Sequence, residues 1–419
     1  MTDNNVISLA SPATDSLNEV LKQGAQQLLS QAIEAEVQSL LAGFAELKVS
    51  GKQAVVRNGH LPERQIQTGL GDIAVKVPKV RDRSGQGIKF NSMLIPPYLK
   101  RTKSLDEFIP WLYLKGISTG DMQPALSRLL GENATGLSAN TVSRLKQSWE
   151  QDYDRWRKRD LSKRRYVYVW ADGVYSKVRM DDKLCLLVII GCDDTGRKEV
   201  LAVVDGYRES EASWLEVLSQ LQSQGLTIAP ELVIGDGALG LWNAVTKHWP
   251  QSKHQRCWVH KTANVLNKVP KSMQPKVKEA LHDIWMAETR EQAHKAFTTC
   301  IERFENKYPK AMECLGKDKT QMLAFYDFPA QHWTHIRTSN PIESVFASVR
   351  LRTNKTKSCG NRKTTLTMTY KLIEVAQNKW RRLRGFKLLA DVINGVEFKD
   401  GEKVEPDQIQ ELPQAVHQI

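Results

Sequence analysis

Three carboxylates stand out by where they fall in the chain. Asp172 lies on a strand-like stretch between Trp170 and Tyr175. Asp236 sits at the tip of a short apolar run, between Gly235 and Gly237, whose missing side chains let a backbone or ligand approach closely. Glu343 follows Pro341 at the start of a helical stretch, where proline suits the first turn. Brought together, these acids would suit a hard divalent cation such as Mg²⁺, which takes oxygen ligands and few protein carboxylates. Two such ions, about 3.5–4 Å apart, would support phosphoryl transfer. Two observations oppose this. The chain holds 47 acids, and the trio is separated by 64 and 107 residues. An Asp after a strand also ordinarily serves a turn or helix cap. Spacing alone does not select the three.

A second constellation is Cys257 with His260, a Cys-x-x-His that is half of a metal signature. Structural zinc needs four ligands, and no second pair at finger spacing follows. Cys300, Cys314, His282 and His294 are candidates only by proximity along the chain. A buried histidine in a satisfied core is the competing reading of His260. Of the eleven tryptophans, Trp242 and Trp258 lie near the proposed pocket, where one could stack on an extruded base.

The partner of such chemistry is suggested by charge. The chain has 419 residues, with 60 Lys and Arg against 47 Asp and Glu, a formal net charge of +13. That excess favours a polyanion, because nucleic-acid affinity is dominated by phosphate neutralisation. It is also uneven. Between Val56 and Ser104, ten bases face three acids; between Ser344 and Lys387, twelve face only Glu374. The second run includes Arg350, Arg352, Lys355, Arg362 and Lys363, and repulsion there goes uncompensated without DNA.

A reading element precedes the acids. Apolar spacing gives a helix through Leu105, Phe108, Ile109 and Leu112, then a short one through Met122, Leu126 and Leu130. Ser138 is a good N-cap for the next, because its hydroxyl can accept an orphan amide. That helix opens with Asn140, Thr141, Ser143, Arg144 and Lys146. Short helix, turn and polar-fronted helix is what a helix-turn-helix requires. Asn and Arg suit base edges, and Ser, Thr and Lys suit phosphates. A plain helical hairpin is the bland alternative.

The remaining elements must position the acids. Residues 1–14 read as a polar tail. An amphipathic helix, or a pair, is expected over Ser16–Leu47, and a hairpin around Gly69–Asp72. After the basic junction Arg155–Arg165, strands are expected over Tyr166–Val178, Lys183–Cys192 and Glu199–Val204, then a helix to Leu226 and a strand at Leu232–Ile234. An antiparallel meander before a crossover is an α/β order. Beyond Trp258 the pattern is helical to about Phe325 and again from Pro341 to about Leu389. No apolar run reaches the ~18 residues of a membrane span. The start lacks a signal-peptide pattern. Six scattered cysteines argue against a disulfide framework, so a cytoplasmic protein is expected.

Several ordered motifs resemble the Mutator-type transposases of bacterial insertion sequences. Leu112–Thr119 with Asp121 precedes the helix-turn-helix as it does in that family. Asp172–Arg179 looks like the first-acid motif, and Gly235–Ala238 like the second. Gln255–His260 with Asn264 is similar to the Cys-x-x-His signature placed after the second acid. Thr338–Glu343, followed by Arg350, Arg352 and Thr353, resembles the third-acid motif. The likeness spans most of residues 20–390.

The resemblance implies an α/β protein with a ribonuclease H-like mixed-sheet catalytic domain and a helical insertion, preceded by a mainly helical DNA-binding region. It implies a triad of Asp172, Asp236 and Glu343 holding two Mg²⁺ or Mn²⁺ ions, with His260 in or beside the pocket. The implied substrates are double-stranded DNA, namely terminal inverted repeats and a target. The implied chemistry is strand cleavage and transfer by a homodimer or larger assembly, away from membranes. The expected segments are 15–103 for N-terminal helices and hairpin, 104–160 for the helix-turn-helix domain, and 161–264 for the first catalytic part. There follow 265–330 for the insertion, 331–390 for the catalytic C-terminal helices, and 391–419 for a tail. Two rivals remain, a structure-specific nuclease or resolvase on the same fold and a non-catalytic DNA-binding regulator.

Overall fold

The computed structural model describes residues 16–130, 138–177, 183–206, 208–355 and 361–405. The expected polar tail at 1–14 lies outside them. The chain divides into two compact units, residues 1–143 and 144–419, so the boundary falls inside a helix rather than at the basic junction.

In the first unit, α1 (Ser16–Gly43) is followed by the two-residue strands β1 (Lys48–Val49) and β2 (Lys52–Gln53). Then come β3 (Val55–His60), β4 (Arg64–Thr68), β5 (Gly71–Val75) and β6 (Pro78–Asp82). β4 and β5 form the hairpin expected around Gly69–Asp72, and β3 pairs with β6. Alternation along β5 turns Ile73 and Val75 inward, where they meet Ile33 of α1, Ile66, Val77 and Ile95. The helices α2 (Lys103–Leu114) and α3 (Thr119–Leu130) follow.

α4 (Ala139–Trp156) crosses the boundary. Ser138 caps it as expected: its Oγ accepts the Thr141 N–H at 3.2 Å. The turn of the expected helix-turn-helix, at 131–137, lies outside the described residues.

The second unit is built on a five-stranded mixed sheet. Its strands are β7 (Tyr166–Lys177), β8 (Lys183–Asp193), β9 (Lys198–Gly206), β10 (Leu232–Gly235) and β11 (Lys253–Arg256), in the spatial order β11-β10-β7-β8-β9. The first three form the antiparallel meander, turning at Asp193–Gly196; β10 and β11 run parallel to β7. The crossovers are α5 (Glu211–Ser223) and α6 (Leu239–His248).

Pleating sorts β7 into two faces. Val169 and Ala171 point to a core with Trp214 and Leu218 of α5 and Leu241 and Val245 of α6. Tyr168, Trp170 and Asp172 take the other face, where the Tyr168 hydroxyl meets His332 Nδ1 at 2.8 Å and the Trp170 indole donates to the His335 carbonyl. That side is closed by C-terminal helices.

After β11 come α7 (Trp258–Leu266), α8 (Gln274–Met286), α9 (Arg290–Phe304), α10 (Pro309–Gly316), α11 (Lys319–Met322) and α12 (Trp333–Ile336). α13 (Asn340–Lys355) and α14 (Arg362–Gln377) follow, the latter against β9. The expected tail at 391–419 is corrected in its first part. Beyond α15 (Leu389–Ile393), β12 (Phe398–Lys399) and β13 (Glu402–Lys403) form a hairpin. It is anchored because Asp400 accepts the Arg290 N–H at 2.7 Å and Gly401 donates to the Tyr326 carbonyl. Among the described residues no helix is long and apolar enough to cross a membrane.

Candidate active site

Parallel pairing of β7 with β10 places the first two acids side by side. Gly235 is in register with Ala171, so Asp236 and Asp172 are the next positions along adjacent strands, which lie about 4.8 Å apart in a sheet. Glu343 comes from the first turn of α13, which packs on β7.

Among the described residues, the one group able to offer a metal three ligand atoms is Asp172, His260 and Glu343, all within 4.8 Å of one another. Asp236 stands outside that group. Its Oδ1 accepts the Ala238 N–H at 2.9 Å, the turn-capping duty the sequence left open. Its charge nevertheless helps raise Asp172.

Asp172 is 5% exposed. Burial pushes its carboxyl up to about 8; His260 pulls against this, while Asp236, Glu343 and Glu209 reinforce it. Glu343 behaves oppositely. Its Oε1 lies 3.2 Å from His260 Nε2 and its Oε2 accepts from Arg350 at 2.8 Å. The His260 bond, with Arg350 and against partial burial, holds it below the usual range. His260 is itself raised, by its bonds to Cys257 and Glu343.

The Cys-x-x-His segment ties two of the acids together. The Cys257 N–H donates to the Gly235 carbonyl at 2.8 Å, fixing the strand end that carries Asp236. The Trp258 N–H donates to the Arg337 carbonyl at 3.1 Å, fixing the approach to Glu343. The buried Cys257 Sγ accepts both the N–H and the hydroxyl of Ser339, at 3.2 and 3.3 Å, and Ser339 Oγ also lies 3.3 Å from His260 Nδ1. Burial alone would raise the Cys257 thiol, but hydrogen bonds from His260 and Ser339 leave it lowered.

Glu209, just before α5, was not singled out from the sequence. Its side chain lies over Gly173, where a Cβ would collide with the carboxyl. Half-buried, it is pushed up to about 7 by desolvation and by Asp236, against His260. Only the tertiary contact reveals it, since locally it reads as a helix start. Ser339 was likewise read only as part of a motif.

The DNA-facing candidates divide. Ser138, Asn140, Ser143 and Arg144 are exposed, and Thr141 and Lys146 half-buried. Arg362 instead fork-bonds Asp205, at 3.0 and 2.6 Å, and Lys363 pairs with Glu150 at 2.8 Å. Both therefore have partners within the protein. Arg350 is exposed, but one nitrogen is on Glu343. The side chains of Arg352 and Lys355 lie outside the described residues. The stacking idea is corrected for Trp258, which is fully buried with its indole on the Met322 carbonyl; Trp242 stacks on His254 at 4.7 Å. No zinc set forms around Cys257 among the described residues.

The model of the Mutator family of transposases matches residues 2–383. The transposase for insertion sequence element IST2 of Acidithiobacillus ferrooxidans is 48% identical over 67% of this chain and 95% of its own length. The transposase for insertion sequence element IS6120 of Mycolicibacterium smegmatis is 47% identical over 72% and 93%. A solved Drosophila P element transposase strand transfer complex covers 70% of this chain at 11% identity, with a TM-score of 0.21, too low to compare folds. By the extent of the family match and the identity to these relatives, the chain belongs to the Mutator family of transposases.

Proposed function

We propose that this protein is a DDE transposase that binds the terminal inverted repeats of an insertion sequence and catalyses metal-dependent DNA cleavage and strand transfer on a ribonuclease H-like domain. The observation that carries the reading is the meeting of Asp172 and Glu343, 171 residues apart in sequence, with His260 between them and Asp236 on the neighbouring strand.

The donor set fits the proposed metal. Carboxylate oxygens suit Mg²⁺ and Mn²⁺, and a buried acid raised to about 8 lacks the counter-charge that a divalent cation would supply. Asp172, Asp236 and Glu343 are the residues to hold it, as two ions in the full reading. When bound, the metal would polarise the scissile phosphate and the attacking oxygen.

The chain's own groups do the positioning. His260 and Arg350 hold Glu343 ionised and aimed, and Ser339 and Cys257 fix the imidazole that does so. Water attacks the phosphorus at the element's end and the strand's 3′-oxygen leaves; the freed 3′-hydroxyl then attacks a target phosphodiester, whose own 3′-oxygen leaves. Both steps are phosphoryl transfers, so one site serves both. The meander followed by parallel strands supports the ribonuclease H-like assignment, and the Ser138-capped helix supports a helix-turn-helix reading the repeat. Two element ends call for a dimer or larger assembly on DNA.

A labelled repeat-end duplex incubated with Mg²⁺ and a plasmid target tests the reading. Nicking with joining supports it, and nicking without joining indicates a nuclease instead. An Asp236→Asn protein that still nicks and joins would remove Asp236 from the mechanism.

A further inference from the structure

Directly after Asp236 the chain opens onto a cavity of about 460 Å³ that the catalytic cluster does not use. Its wall begins at Gly237, where φ is +88° and a Cβ would collide with the Arg256 guanidinium. Glycine is therefore required there twice over, by backbone and by space. Arg256 ends β11 and is only 8% exposed. Its Nε lies 3.2 Å from Asp318 Oδ2 without the geometry of a hydrogen bond, and that nitrogen has no other partner. The same Asp318 oxygen is taken by the buried Lys261 at 2.7 Å. The guanidinium thus forms part of the cavity wall, sharing the single Asp318 carboxylate with Lys261, while its enclosed Nε makes no hydrogen bond.

The rim adds charge of the same sign. Lys268, Lys310 and Lys317 line the cavity and are exposed, and Glu313 and Asp318 do not balance five cations. Leu239, at the start of α6, also lines the cavity and is 78% exposed, an apolar surface beside the positive rim. Guanidinium and ammonium groups with one apolar wall match a nucleotide unit, a phosphate with its sugar and base, better than a free anion.

We infer that this cavity is a subsite for one backbone phosphate of the DNA strand beside the scissile bond, gripped by Arg256 and the rim lysines with its sugar against Leu239. The inference rests on the transposase reading above. It extends that reading by assigning the α7–α10 segment a direct hold on the substrate next to the second acid.

The test uses the full chain and a fluorescent duplex carrying the element's inverted repeat and its flank, with Ca²⁺ replacing Mg²⁺ so that binding is read without cleavage. The double variant Lys310→Glu/Lys317→Glu alters exposed side chains only, and Lys276→Glu/Lys278→Glu, both exposed on α8, controls for the same change in general charge. The rim variant should bind about tenfold more weakly than the control, with the log–log salt slope reduced by about one to two. A methylphosphonate scan across the cut site should find one position whose neutralisation weakens the wild type but not the rim variant. The inference is overturned if the rim variant matches the control, if every position acts additively, or if millimolar inorganic phosphate displaces the duplex. A wild-type protein that neither binds nor processes the duplex would instead sink the proposed function.

Discussion

The Glu209 carboxyl lies across Gly173, the residue that follows Asp172, and occupies the space where a Cβ would be. β7 therefore carries glycine at that point for a reason outside the strand. Glu209 reaches β7 from the α5 side, opposite the Asp172 face, and its charge still contributes to raising Asp172.

Gly173→Ala and Glu209→Ala should consequently behave alike. The alanine methyl must displace the Glu209 side chain, and β7 tolerates alanine because Gly173 has no positive φ. Each variant should lose roughly tenfold in strand cleavage, and the double variant no more than the worse single, since both remove one arrangement. Additive losses would show that Gly173 matters for something other than Glu209.

Metal-free stability should depend on pH through Asp172. Its folded carboxyl titrates near 8, against an ordinary 3.8. Below the ordinary value both states are protonated and the fold keeps its full stability. As pH rises toward 8 the unfolded chain releases this proton readily while the folded one resists, so stability falls, and it levels off above the folded value. Asp172→Asn removes the loss. Without metal, its melting temperature at pH 8 should exceed wild type by about 5 °C, equivalent to ~2 kcal/mol or more. The gap should close near pH 4. Mg²⁺ should raise the wild-type melting temperature and leave the variant's almost unchanged. A variant no more stable than wild type at pH 8 would count against a buried, raised acid.

The buried hydroxyl of Ser339 bridges Cys257 Sγ and His260 Nδ1. Ser339→Ala should cost about 1–2 kcal/mol, the loss of a buried hydrogen bond, and should reduce cleavage about tenfold by loosening His260 on Glu343. Cys257→Ser keeps an acceptor for Ser339 and should retain more activity than Cys257→Ala. Melting curves beside single-turnover cleavage check this. A fully active Ser339→Ala protein would remove the bridge from the mechanism.

Much of the frame was legible in the sequence because it is written locally. Strand-like apolar stretches marked β7, β8 and β9, alternation about a turn marked the β4–β5 hairpin, and one serine marked the start of α4. What stayed hidden depends on partners distant along the chain. β11 reads Lys-His-Gln-Arg, with no apolar alternation; it is an edge strand whose buried Gln255 donates to the Met322 carbonyl and accepts from Phe325 N–H. Asp172 and Asp236 could be named from the ends of apolar runs, but the register that makes them neighbours cannot be read from either run. Glu209 and Ser339 carry no local signal. Each acquires its meaning from one contact, with Gly173 and with Cys257. Arg362 shows the reverse error of scale, since a basic run suggests a polyanion while the individual residue is spent on Asp205.

The two arginines Arg144 and Arg362 should therefore separate by assay. Arg144 is exposed on α4, three residues beyond its first turn's Thr141. Arg144→Ala should leave the melting temperature within about a degree, as surface substitutions do. It should weaken binding to the inverted repeat about tenfold, with a smaller effect on unrelated DNA if the guanidinium reads a base edge. Arg362 holds β9 to α14 through two bonds to Asp205, a partly buried carboxylate. Arg362→Ala strands that carboxylate and should lower the melting temperature by a few degrees, ~1–2 kcal/mol. Any loss of DNA binding should then be indifferent to sequence, and Asp205→Asn should reproduce it. Thermal melts with anisotropy titrations on repeat and scrambled duplexes measure both. Equal stability in the Arg362→Ala protein, together with a selective loss for the repeat, would return Arg362 to the DNA-reading surface and would show the Asp205 pairing to give way when DNA is bound.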